Sequence, residues 1–508
     1  MLSMEKKMTS VLIGLFVLLP LLVTPWALDP FEIDKVIMAR IIGAVAFVLF
    51  VTKKGTQWIA KLDYKDPGFW YLMLIAWSIV ATLFSINPFR STFGSMLRGG
   101  GLLTILCAFG LYVGLRSYGT LAEKTKQNIS LYSTYTTGVM IVLSFFQYLA
   151  QNHLYVNVEL VTTGAPFQLL RIPGTFGHPL YFGMYLALML PMAYYAYKTS
   201  KKQIIPIIIA ASYIAIYFTR ARIAMIAAII LAIIFILTKL KKYKKIIITN
   251  AIVLGAAILI ISPSLQQTII RPESLFVRMQ EWQFAAKTNL ERPIFGFGFE
   301  TYDEASISRD RHPKELDDGL ADRVHNIWLE TSWNIGFPGL IFLIGIFVTA
   351  YLILRRTKDL WSKMIGLSLL TYIILMQTSF DFSFTYILLP FLLSQIKTQK
   401  NDRPQGRNIY AIIITLMLIS PSITNAMMFK GIDYLTTGEF EKEVKLYQNA
   451  QKINPTWPEL YMTEAESWYA RSVVELEKAE ENSTKAKHLM ETARKRGLPW
   501  YYKASFEE

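Results

Sequence analysis

Residues 204–238 read IIPIIIAASYIAIYFTRARIAMIAAIILAIIFILT, two almost wholly apolar runs separated by the four residues TRAR. A helix crosses the hydrocarbon core of a bilayer with about 20 mostly apolar residues, and about 17 is a practical minimum. Both runs approach that length, and the connection between them is too short for anything but a tight turn. The pattern therefore predicts a helical hairpin in a membrane, with Arg220 and Arg222 at its tip.

The rest of the chain has the same character. Of its 508 residues, 53% are hydrophobic and 18% are charged, whereas soluble domains carry about 25% charged residues. A water-soluble protein of this size would lack the polar residues to cover its surface. Cys107 is the single cysteine, so no disulfide can form within the chain. The composition thus predicts an all-α, polytopic membrane protein.

Similar apolar runs recur along the chain and predict about 13 spans. The first run lacks the small residues of a signal-peptide cleavage site, so we interpret it as a retained span. The two runs that flank Asp381 are short and could instead form one broken helix. The candidate spans are residues 11–27, 36–51, 69–86, 101–115, 131–150, 180–197, 204–218, 223–238, 246–261, 335–354, 364–378, 384–396 and 409–427.

Basic residues in the short loops predict the orientation of these spans, because cytoplasmic loops are enriched in Lys and Arg. When thirteen spans are threaded in alternation, every basic cluster falls on one side, including KLKKYKK at 239–245. The N-terminus is therefore predicted to be cytoplasmic and the C-terminus extracytoplasmic, in a multi-pass protein of the cytoplasmic membrane. The excess of 52 basic over 37 acidic residues is then a topology signal that faces anionic lipid, not a nucleic-acid site.

Two stretches outside the spans differ from the rest. Residues 262–334 form a long, mixed-charge loop on the predicted outer face, and loops of this length are usually functional. From residue 430 the chain becomes polar and helix-forming, with the small, aromatic and helix-stop spacing of tetratricopeptide helix pairs. The sequence thus predicts a membrane domain at 1–429 and an extracytoplasmic helical-repeat domain at 430–508. That tail is either a platform for a partner or a structural cap.

Three arginines are predicted at the outer ends of spans, where the positive-inside tendency disfavours them. Arg171 precedes the sixth span, and Arg220 and Arg222 lie at the tip of the hairpin. A charged side chain in or beside a span is costly and is a functional hypothesis by default. Guanidinium suits a phosphate or diphosphate because its rigid fork makes two parallel hydrogen bonds. The alternative is that these side chains only reach the lipid headgroups.

The long outer loop contains two further groups of candidate residues. Arg278 and Trp282 are four residues apart and share one face of a short helix. His325, followed by Asn326, stands where the loop enters the tenth span. A histidine there is a natural general base because its unperturbed pKa lies near neutrality, and its alternative role is that of a hydrogen-bonded interface residue. Arg323 is expected to lower the pKa of His325 by disfavouring the imidazolium.

Gly174 lies in RIPGTFGHP at 171–179, where it permits either a close approach of a ligand to backbone amides or an ordinary turn. The five histidines form no HExxH motif, and the chain contains no Walker loop. An acidic metal site around His312 stays open, although a solvated loop is the favoured interpretation there. The sequence therefore predicts no cofactor and no metal.

Taken together, six short blocks resemble the O-antigen ligase and O-antigen polymerase superfamily of integral membrane glycosyltransferases. The resemblance rests on the order of these blocks and on their places relative to the predicted spans, and it runs over residues 87–389. Some members of the superfamily also have a terminal helical repeat. The blocks are RIPGTFGHP at 171–179, TRAR at 219–222, RMQEW at 278–282, PIFGFGFETY at 293–302, HNIWLETSWNIGFPGL at 325–340 and SFDF at 379–382, which contains Asp381.

The resemblance implies transfer of a glycan from an undecaprenyl-diphosphate-linked donor to an acceptor on the extracytoplasmic face. No nucleotide sugar and no metal would be needed, and a single displacement would invert the anomeric carbon. His325 matches the histidine proposed as the base in this family. Arg220 matches the hairpin arginine that grips the diphosphate, Arg278 matches the nearby loop arginine, and Arg171 is a further match.

The sequence departs from the family pattern at two of these blocks. The hairpin reads TRAR where the family commonly has Ser-Arg-Gly, so either Arg220 or Arg222 could be the equivalent residue. The usual Asn-Pro of the first block is His178-Pro179 here, which leaves the donor contacts of that block open.

Three activities remain as alternatives. A ligase moves a whole glycan to a glycan, lipid or protein acceptor, whereas a polymerase joins lipid-linked repeat units at the same kind of site. The helical tail leans towards a ligase with a bulky acceptor. A lipid-linked oligosaccharide flippase is the remote third alternative, because a transporter would place charges near the bilayer midplane and show internal repeats. The predicted partners are thus the lipid-linked donor, an acceptor and membrane lipids.

Overall fold

The protein was studied as a computed structural model, which describes residues 4–27, 29–51, 59–96, 98–149, 171–237, 272–308, 322–396, 419–474, 478–496 and 498. Across these ranges the regular elements are all helical, as the sequence predicted. The basic run at 239–245, the candidate span at 246–261, His312 and the first part of the candidate span at 409–427 lie outside the described residues.

The helices follow the order of the candidate spans and continue into the tail. They are α1 (Met4–Ile13), a π-helical turn (Gly14–Leu18), α2 (Leu19–Leu21), α3 (Ile33–Phe50), α4 (Pro67–Leu83), α5 (Pro88–Phe93), α6 (Leu102–Tyr118), α7 (Glu123–Leu149), α8 (Pro179–Ser200), α9 (Ile204–Thr219), α10 (Arg222–Leu237), α11 (Pro272–Thr288), α12 (Tyr302–Ile307), α13 (Ile327–Leu354), α14 (Leu360–Leu375), α15 (Thr385–Ser394), α16 (Ser420–Thr436), α17 (Phe440–Ile453), α18 (Glu459–Val474) and α19 (Ala479–Lys495).

In the described part of the chain, α7 and α13 are both long and apolar enough to cross a membrane. The shorter apolar helices of 10–17 residues are α4, α6, α9, α10, α14 and α15. The two runs around Asp381 are separate helices, α14 and α15, and Asp381 lies in the link between them. The number of spans stays a prediction.

Small residues allow α3 and α6 to pack with their backbones in contact. A Cβ atom added to Gly43 would lie 2.0 Å from the carbonyl oxygen of Cys107, and one added to Gly114 would lie 2.5 Å from that of Ala46. Helices in membranes associate through such close approaches, because lipid offers no hydrophobic driving force. Cys107 is buried in this contact and packs as a small apolar side chain.

A kink divides the long helix α13 into two parts. Ile335 (φ −137°, ψ 19°) and Gly336 (φ 74°, ψ 179°) leave the helical region. Pro338 has no N–H, so it cannot bond to the carbonyl four residues earlier, which belongs to Asn334. The kink therefore opens backbone carbonyls that need other partners, because an unsatisfied carbonyl costs several kcal/mol away from water.

The loop segment PIFGFG at 293–298 supplies these partners. The Phe297 N–H donates to the Trp333 carbonyl at 2.7 Å, and the Gly298 N–H donates to the Asn334 carbonyl at 3.1 Å. The Phe297 ring stacks on the Trp333 ring with centroids 4.4 Å apart. The glycine-rich run therefore supplies the hydrogen bonds that the kink leaves open, and it fixes the N-terminal part of α13 against the long loop.

The substitution Gly336→Ala is expected to destabilise the protein. The added Cβ would lie 2.0 Å from the carbonyl oxygen of Ile294, and the φ of 74° disfavours any L side chain. Strain of this kind costs about 1–3 kcal/mol, which should lower the thermal midpoint of the detergent-solubilised protein. The matched control is Gly366→Ala, because its Cβ would meet only Leu354, at 3.6 Å. Equal midpoints for the two variants would contradict the role given to the kink.

The helices α16–α19 form the tail and pack on the N-terminal end of α3. A buried cluster joins Ile33 and Ile37 of α3 to Trp457 and Leu460 at the start of α18. The side-chain amide of Asn425 in α16 accepts the Asp29 N–H at 3.2 Å and donates to the Asp29 carbonyl at 3.1 Å, just before α3. The tail is thus docked on the rest of the protein. Its tetratricopeptide character and the boundary at residue 430, which falls inside α16, stay predictions.

Candidate active site at one end of the bundle

Loops that the threading assigns to the outer face meet at one end of the helical bundle. Arg98, in the loop between α5 and α6, donates hydrogen bonds to Asp322 of the long loop and to Tyr181 of α8. In the α14–α15 link, the Ser383 N–H donates to Glu32 at 2.7 Å. The alternating threading requires such a convergence, although the side of the membrane on which it lies stays a prediction.

Phe380 lies at the centre of this cluster and is 5% exposed. The guanidinium carbons of Arg98 and Arg323 lie 4.8 and 5.4 Å from its ring centroid. The His325 ring meets it edge-on, with centroids 4.9 Å apart. An aromatic face attracts cations, so Phe380 holds two arginines beside the predicted base.

Arg323 is buried and carries two ion pairs. Its guanidinium lies 2.5 Å from Glu300 and 2.8 Å from Glu330. Burial would raise the pKa of Glu300, but the Arg323 charge and hydrogen bonds from Ser95 hold that pKa below its usual range. Arg323 is therefore engaged by two carboxylates, and it fixes the long loop to the first turn of α13.

His325 has a defined tautomer because of its hydrogen bond. Its Nδ1 lies 3.0 Å from the carbonyl oxygen of Arg323. A carbonyl can only accept, so Nδ1 carries the proton and Nε2 keeps the lone pair. The backbone at His325 is left-handed, with a φ of 57°, which is uncommon for a non-glycine residue. This arrangement suits a base that takes up a proton at Nε2.

The pKa of His325 is lowered to about 4, first by burial and then by the Arg278 charge. The Asp322 charge and the hydrogen bond to the Arg323 carbonyl oppose this shift. The direction agrees with the sequence-based expectation, but burial and Arg278, not the expected charge of Arg323, are the leading causes. His325 is therefore neutral at neutral pH.

The helix α11 brings Arg278 and Trp282 to His325. The Arg278 guanidinium donates to the Thr378 carbonyl and, as its effect on His325 shows, lies close enough to influence the imidazole. The Trp282 indole donates to the Val324 carbonyl at 3.1 Å, one residue before His325. Trp282 thus anchors the helix that presents Arg278.

Asn326 begins α13 and supports the base from the other side. Its Oδ1 accepts the N–H groups of Trp328 and Leu329 at 3.1 and 3.2 Å, the geometry of a helix N-cap. Its Nδ2 donates to the Gln377 carbonyl at 3.0 Å. Asn326 therefore fixes the start of α13 to the α14–α15 link.

The hairpin tip and the segment that contains Arg171 are joined. The Arg171 Nε donates to the Thr219 carbonyl at 2.9 Å. Arg220 is exposed and ends α9 in a left-handed conformation, with a φ of 53°, and Arg222 begins α10. Burial lowers the pKa of His178 to about 4, and the next contributions come from arginines, Arg171 first. Arg171 thus lies close to both the hairpin tip and His178.

Gly174 has a structural role in the described structure. It begins a short 3-10 turn with a φ of 59°, and a Cβ there would lie 2.7 Å from the Phe182 ring. Its carbonyl accepts a hydrogen bond from Gln147 at 3.3 Å. These contacts favour the ordinary turn into α8 over a ligand contact.

Asp381 lies on the wall of a cavity of about 120 Å³, which Arg323 and Glu330 also line. It accepts a hydrogen bond from the Tyr372 hydroxyl at 2.8 Å. Among the described residues, no group of three or more His, Cys, Asp and Glu side chains is placed to hold a metal ion.

Sequence reasoning missed Arg98, Tyr181, Asp322 and Glu32, which complete the cluster. Arg98 precedes three consecutive glycines at the outer end of the fourth candidate span, and this pattern could have marked it. Glu32 accepts hydrogen bonds from both the N–H and the hydroxyl of Ser383, and burial raises its pKa to about 7. Nothing in the sequence around Glu32 or Asp322 signals these contacts.

A family model described as O-antigen ligase matches residues 207–344. Together with the apolar helices, this match supports a membrane enzyme of the O-antigen ligase and polymerase type, which acts on a lipid-linked glycan and an acceptor. No curated protein matches the chain. The predicted resemblance is confirmed over this segment, and the tail lies beyond it. The segment includes Arg220, Arg222, Arg278, Trp282, His325 and Asn326, whereas Arg171, Gly174 and Asp381 lie outside it.

Proposed function

We propose that this protein moves a glycan from an undecaprenyl-diphosphate-linked donor to an acceptor on the extracytoplasmic face of the cytoplasmic membrane, without a metal. The observation that carries this proposal is the state of His325, which is neutral, keeps its lone pair on Nε2 and has the Arg278 guanidinium nearby. A base beside a fixed cation is what displacement of a diphosphate by a hydroxyl requires.

In the proposed reaction the acceptor oxygen attacks the anomeric carbon of the donor sugar. Its proton passes to Nε2 of His325 as the new carbon–oxygen bond forms. The bond between the sugar and the diphosphate breaks in the same step, so the anomeric carbon is inverted. The lipid diphosphate leaves with the bonding electrons, and Arg278 offsets the charge that develops on it.

Asp322 stabilises the imidazolium that this step creates. Burial would raise the pKa of Asp322, but the charges of Arg98 and Arg323 hold it below its usual range. Asp322 is therefore ionised at neutral pH, and its charge favours the protonated form of His325. The counter-charge that stabilises the protonated base is thus in place before the proton arrives.

The arginines of the hairpin tip extend the site towards lipid. Arg220 or Arg222 would bind the diphosphate at the membrane surface, while the prenyl chain lies along the apolar helices α9 and α10. Arg171 holds the tip through Thr219. The docked helical tail favours a ligase with a bulky acceptor over the polymerase alternative, which would use the same base and arginines.

Arg278→Ala is expected to reduce transfer roughly 30- to 1000-fold, the usual loss for one donor to a developing oxyanion. Arg278→Lys should recover only part of the rate, because lysine lacks the bidentate fork. The measurement is transfer by purified protein supplied with an undecaprenyl-diphosphate glycan and an acceptor. The matched control is Arg356→Ala, an exposed arginine after α13.

Full activity in Arg278→Lys would reduce Arg278 to a general positive charge. Full activity in Arg278→Ala would contradict the proposed function. The same assay with Arg220→Ala and Arg222→Ala identifies the hairpin residue that contacts the diphosphate, because only the loss of that residue should match the loss at Arg278.

A further inference from the structure

Arg40 is a buried charge on α3, inside the second candidate span, and is 4% exposed. A charged side chain in a span is costly and is a functional hypothesis by default. Its Nε donates to the Thr104 hydroxyl at 2.7 Å, and its Nη2 donates to the carbonyls of Phe93 and Gly99 at 2.9 and 2.7 Å. The two carbonyls flank the loop between α5 and α6, and that loop carries Arg98.

The ends of this loop meet in a tight turn. Gly94 and Gly99 have positive φ angles, 83° and 58°, and a Cβ added to Gly94 would lie 2.5 Å from the Gly99 carbonyl carbon. The Gly99 N–H donates to the Ser95 carbonyl at 2.8 Å. Such a turn is closed on itself, so contacts from outside it must fix its orientation against the rest of the protein.

Opposite charges hold one peptide group of this loop, the one between Gly99 and Gly100, from its two sides. Arg40 donates to its carbonyl oxygen, and Glu300 accepts its N–H at 2.7 Å. The oxygen and the hydrogen of a trans peptide point in opposite directions, so the two contacts together fix the plane of the group. Hydrogen bonds to ionised groups are also roughly twice as strong as neutral ones. The backbone that follows Arg98 is therefore held firmly.

Arg98 extends from this backbone into the candidate active site. Its guanidinium donates to Asp322 and to the Tyr181 hydroxyl. Its guanidinium carbon lies 4.8 Å from the centroid of the Phe380 ring, and the His325 ring meets that same ring at 4.9 Å. An arginine side chain has many rotamers, so the place of its guanidinium depends on the backbone beneath it.

We propose that Arg40 is a positioning residue for glycan transfer. By fixing the peptide that follows Arg98, it sets the Arg98 guanidinium against Asp322, beside the base. Each step from Arg40 to Asp322 is a hydrogen bond or a covalent neighbour. The inference rests on the proposed function of His325, and it gives a use to a charge buried inside a candidate span.

The first test compares Arg40→Met and Arg40→Lys with the control Arg116→Met. Arg40→Met should lower kcat per folded enzyme roughly 2- to 30-fold, the scale for residues that act through others. KM for the donor should change little, because the arginines proposed to hold the diphosphate are untouched. Arg40→Lys should recover part of the rate, because an ammonium can still donate to the Gly99 carbonyl but lacks the rigid fork.

The control removes a charge that is buried to the same degree. Arg116 is 5% exposed, lies at the other end of α6 and pairs with Asp66. Its loss should lower the thermal midpoint but leave Arg98 in place, so kcat per folded enzyme should stay at the wild-type value. All rates are measured below the thermal midpoint of every variant.

Thr104→Val is a milder change at the same contact. The Thr104 hydroxyl accepts from the Arg40 Nε and donates to the Gly99 carbonyl, and valine has the same shape without the hydroxyl. Its kcat should fall, but less than in Arg40→Met. The control Thr371→Val removes a buried hydroxyl that donates to a carbonyl of its own helix, and it should keep the wild-type kcat. Thr104→Val carries the test if Arg40→Met does not fold.

The second test is a double-mutant cycle with Arg98→Ala. If Arg40 acts through Arg98, the variant Arg40→Met/Arg98→Ala should be no slower than Arg98→Ala, because the two losses are not independent. A loss of folded protein alone would lower the rate by the same factor in both backgrounds. Thr104→Val takes the place of Arg40→Met in this cycle if the latter does not fold.

Multiplicative losses in the cycle would overturn the inference alone, as would a wild-type kcat in Arg40→Met or in the Thr104→Val that replaces it. An Arg98→Ala enzyme with the wild-type rate would remove Arg98 from the reaction, and the inference with it. Failure of the proposed function has a different result, which is full activity in His325→Ala and in Arg278→Ala.

Discussion

His325→Ala should transfer glycan about 10²–10⁴-fold more slowly than the wild type, the usual loss for a general base, while it still binds the lipid-linked donor. Binding should survive because Arg278 and the hairpin arginines, not the imidazole, hold the diphosphate. Transfer and donor binding are to be measured on the same purified variant. His488→Ala, which changes an exposed histidine of α19, is the matched control.

The pH dependence of the wild type provides a second check on His325. Its pKa is lowered to about 4 by burial and by Arg278, so the neutral, working form persists well below the ordinary pKa of about 6.5. Activity should therefore fall only as the pH drops through about 4. An acid limb near 6.5 would show that the imidazole is solvated in the working enzyme.

Two other outcomes would reassign the base. Transfer by His325→Ala at nearly the wild-type rate would show that His325 is not the base. Loss of donor binding together with transfer would place His325 among the diphosphate contacts. The base would then be sought first at Asp381 and Glu330, which line the cavity beside Arg323.

Arg323→Ala is expected to lower the stability of the folded protein by about 3–5 kcal/mol, because it leaves the carboxylates of Glu300 and Glu330 buried and unpaired. Thermal unfolding of the detergent-solubilised protein measures the loss. The control Arg355→Ala removes an exposed arginine at the opposite end of α13. A wild-type midpoint for Arg323→Ala would contradict the assigned ion pairs.

A compensated variant makes this prediction sharper. Replacing Arg323 together with both carboxylates, as Arg323→Met/Glu300→Gln/Glu330→Gln, removes the uncompensated charges and should recover much of the stability. The pH dependence has a defined sign, because Arg323 holds the pKa of Glu300 below its usual range. The stabilisation is present above the unfolded-state pKa of Glu300 and is lost as the pH falls through its lowered folded-state pKa.

The apolar pattern predicted where the helices lie better than where they begin. The span predicted at 335–354 belongs to a helix that begins eight residues earlier, at Ile327, because Asn326 caps it there. The helix over the span predicted at 131–150 begins at Glu123 and has a polar first part. Hydropathy marks the part of a helix that suits lipid, whereas caps and turns decide where the helix ends.

The site was predicted only where a residue lies in a short motif. His325 and Arg278 stand in such motifs, and the structure brings them into one cluster. Arg98 and Asp322 pair across 224 positions of the chain, and no local pattern encodes a contact at that distance. The pairing of Arg323 with Glu300 and Glu330 was missed for the same reason. The lowering of the His325 pKa was therefore attributed to Arg323, whereas burial and Arg278 are its leading causes.

The pairing of 293–298 with the kink of α13 bears on how the chain is made. Residues 293–298 leave the ribosome before Trp333 and Asn334, whose open carbonyls they will satisfy. When α13 enters the bilayer, its partners have already been synthesised, and in the proposed topology they have already been translocated. The groups that satisfy the Trp333 and Asn334 carbonyls are therefore available when α13 inserts. A kink that would hinder insertion by itself is thus compatible with the order of translation.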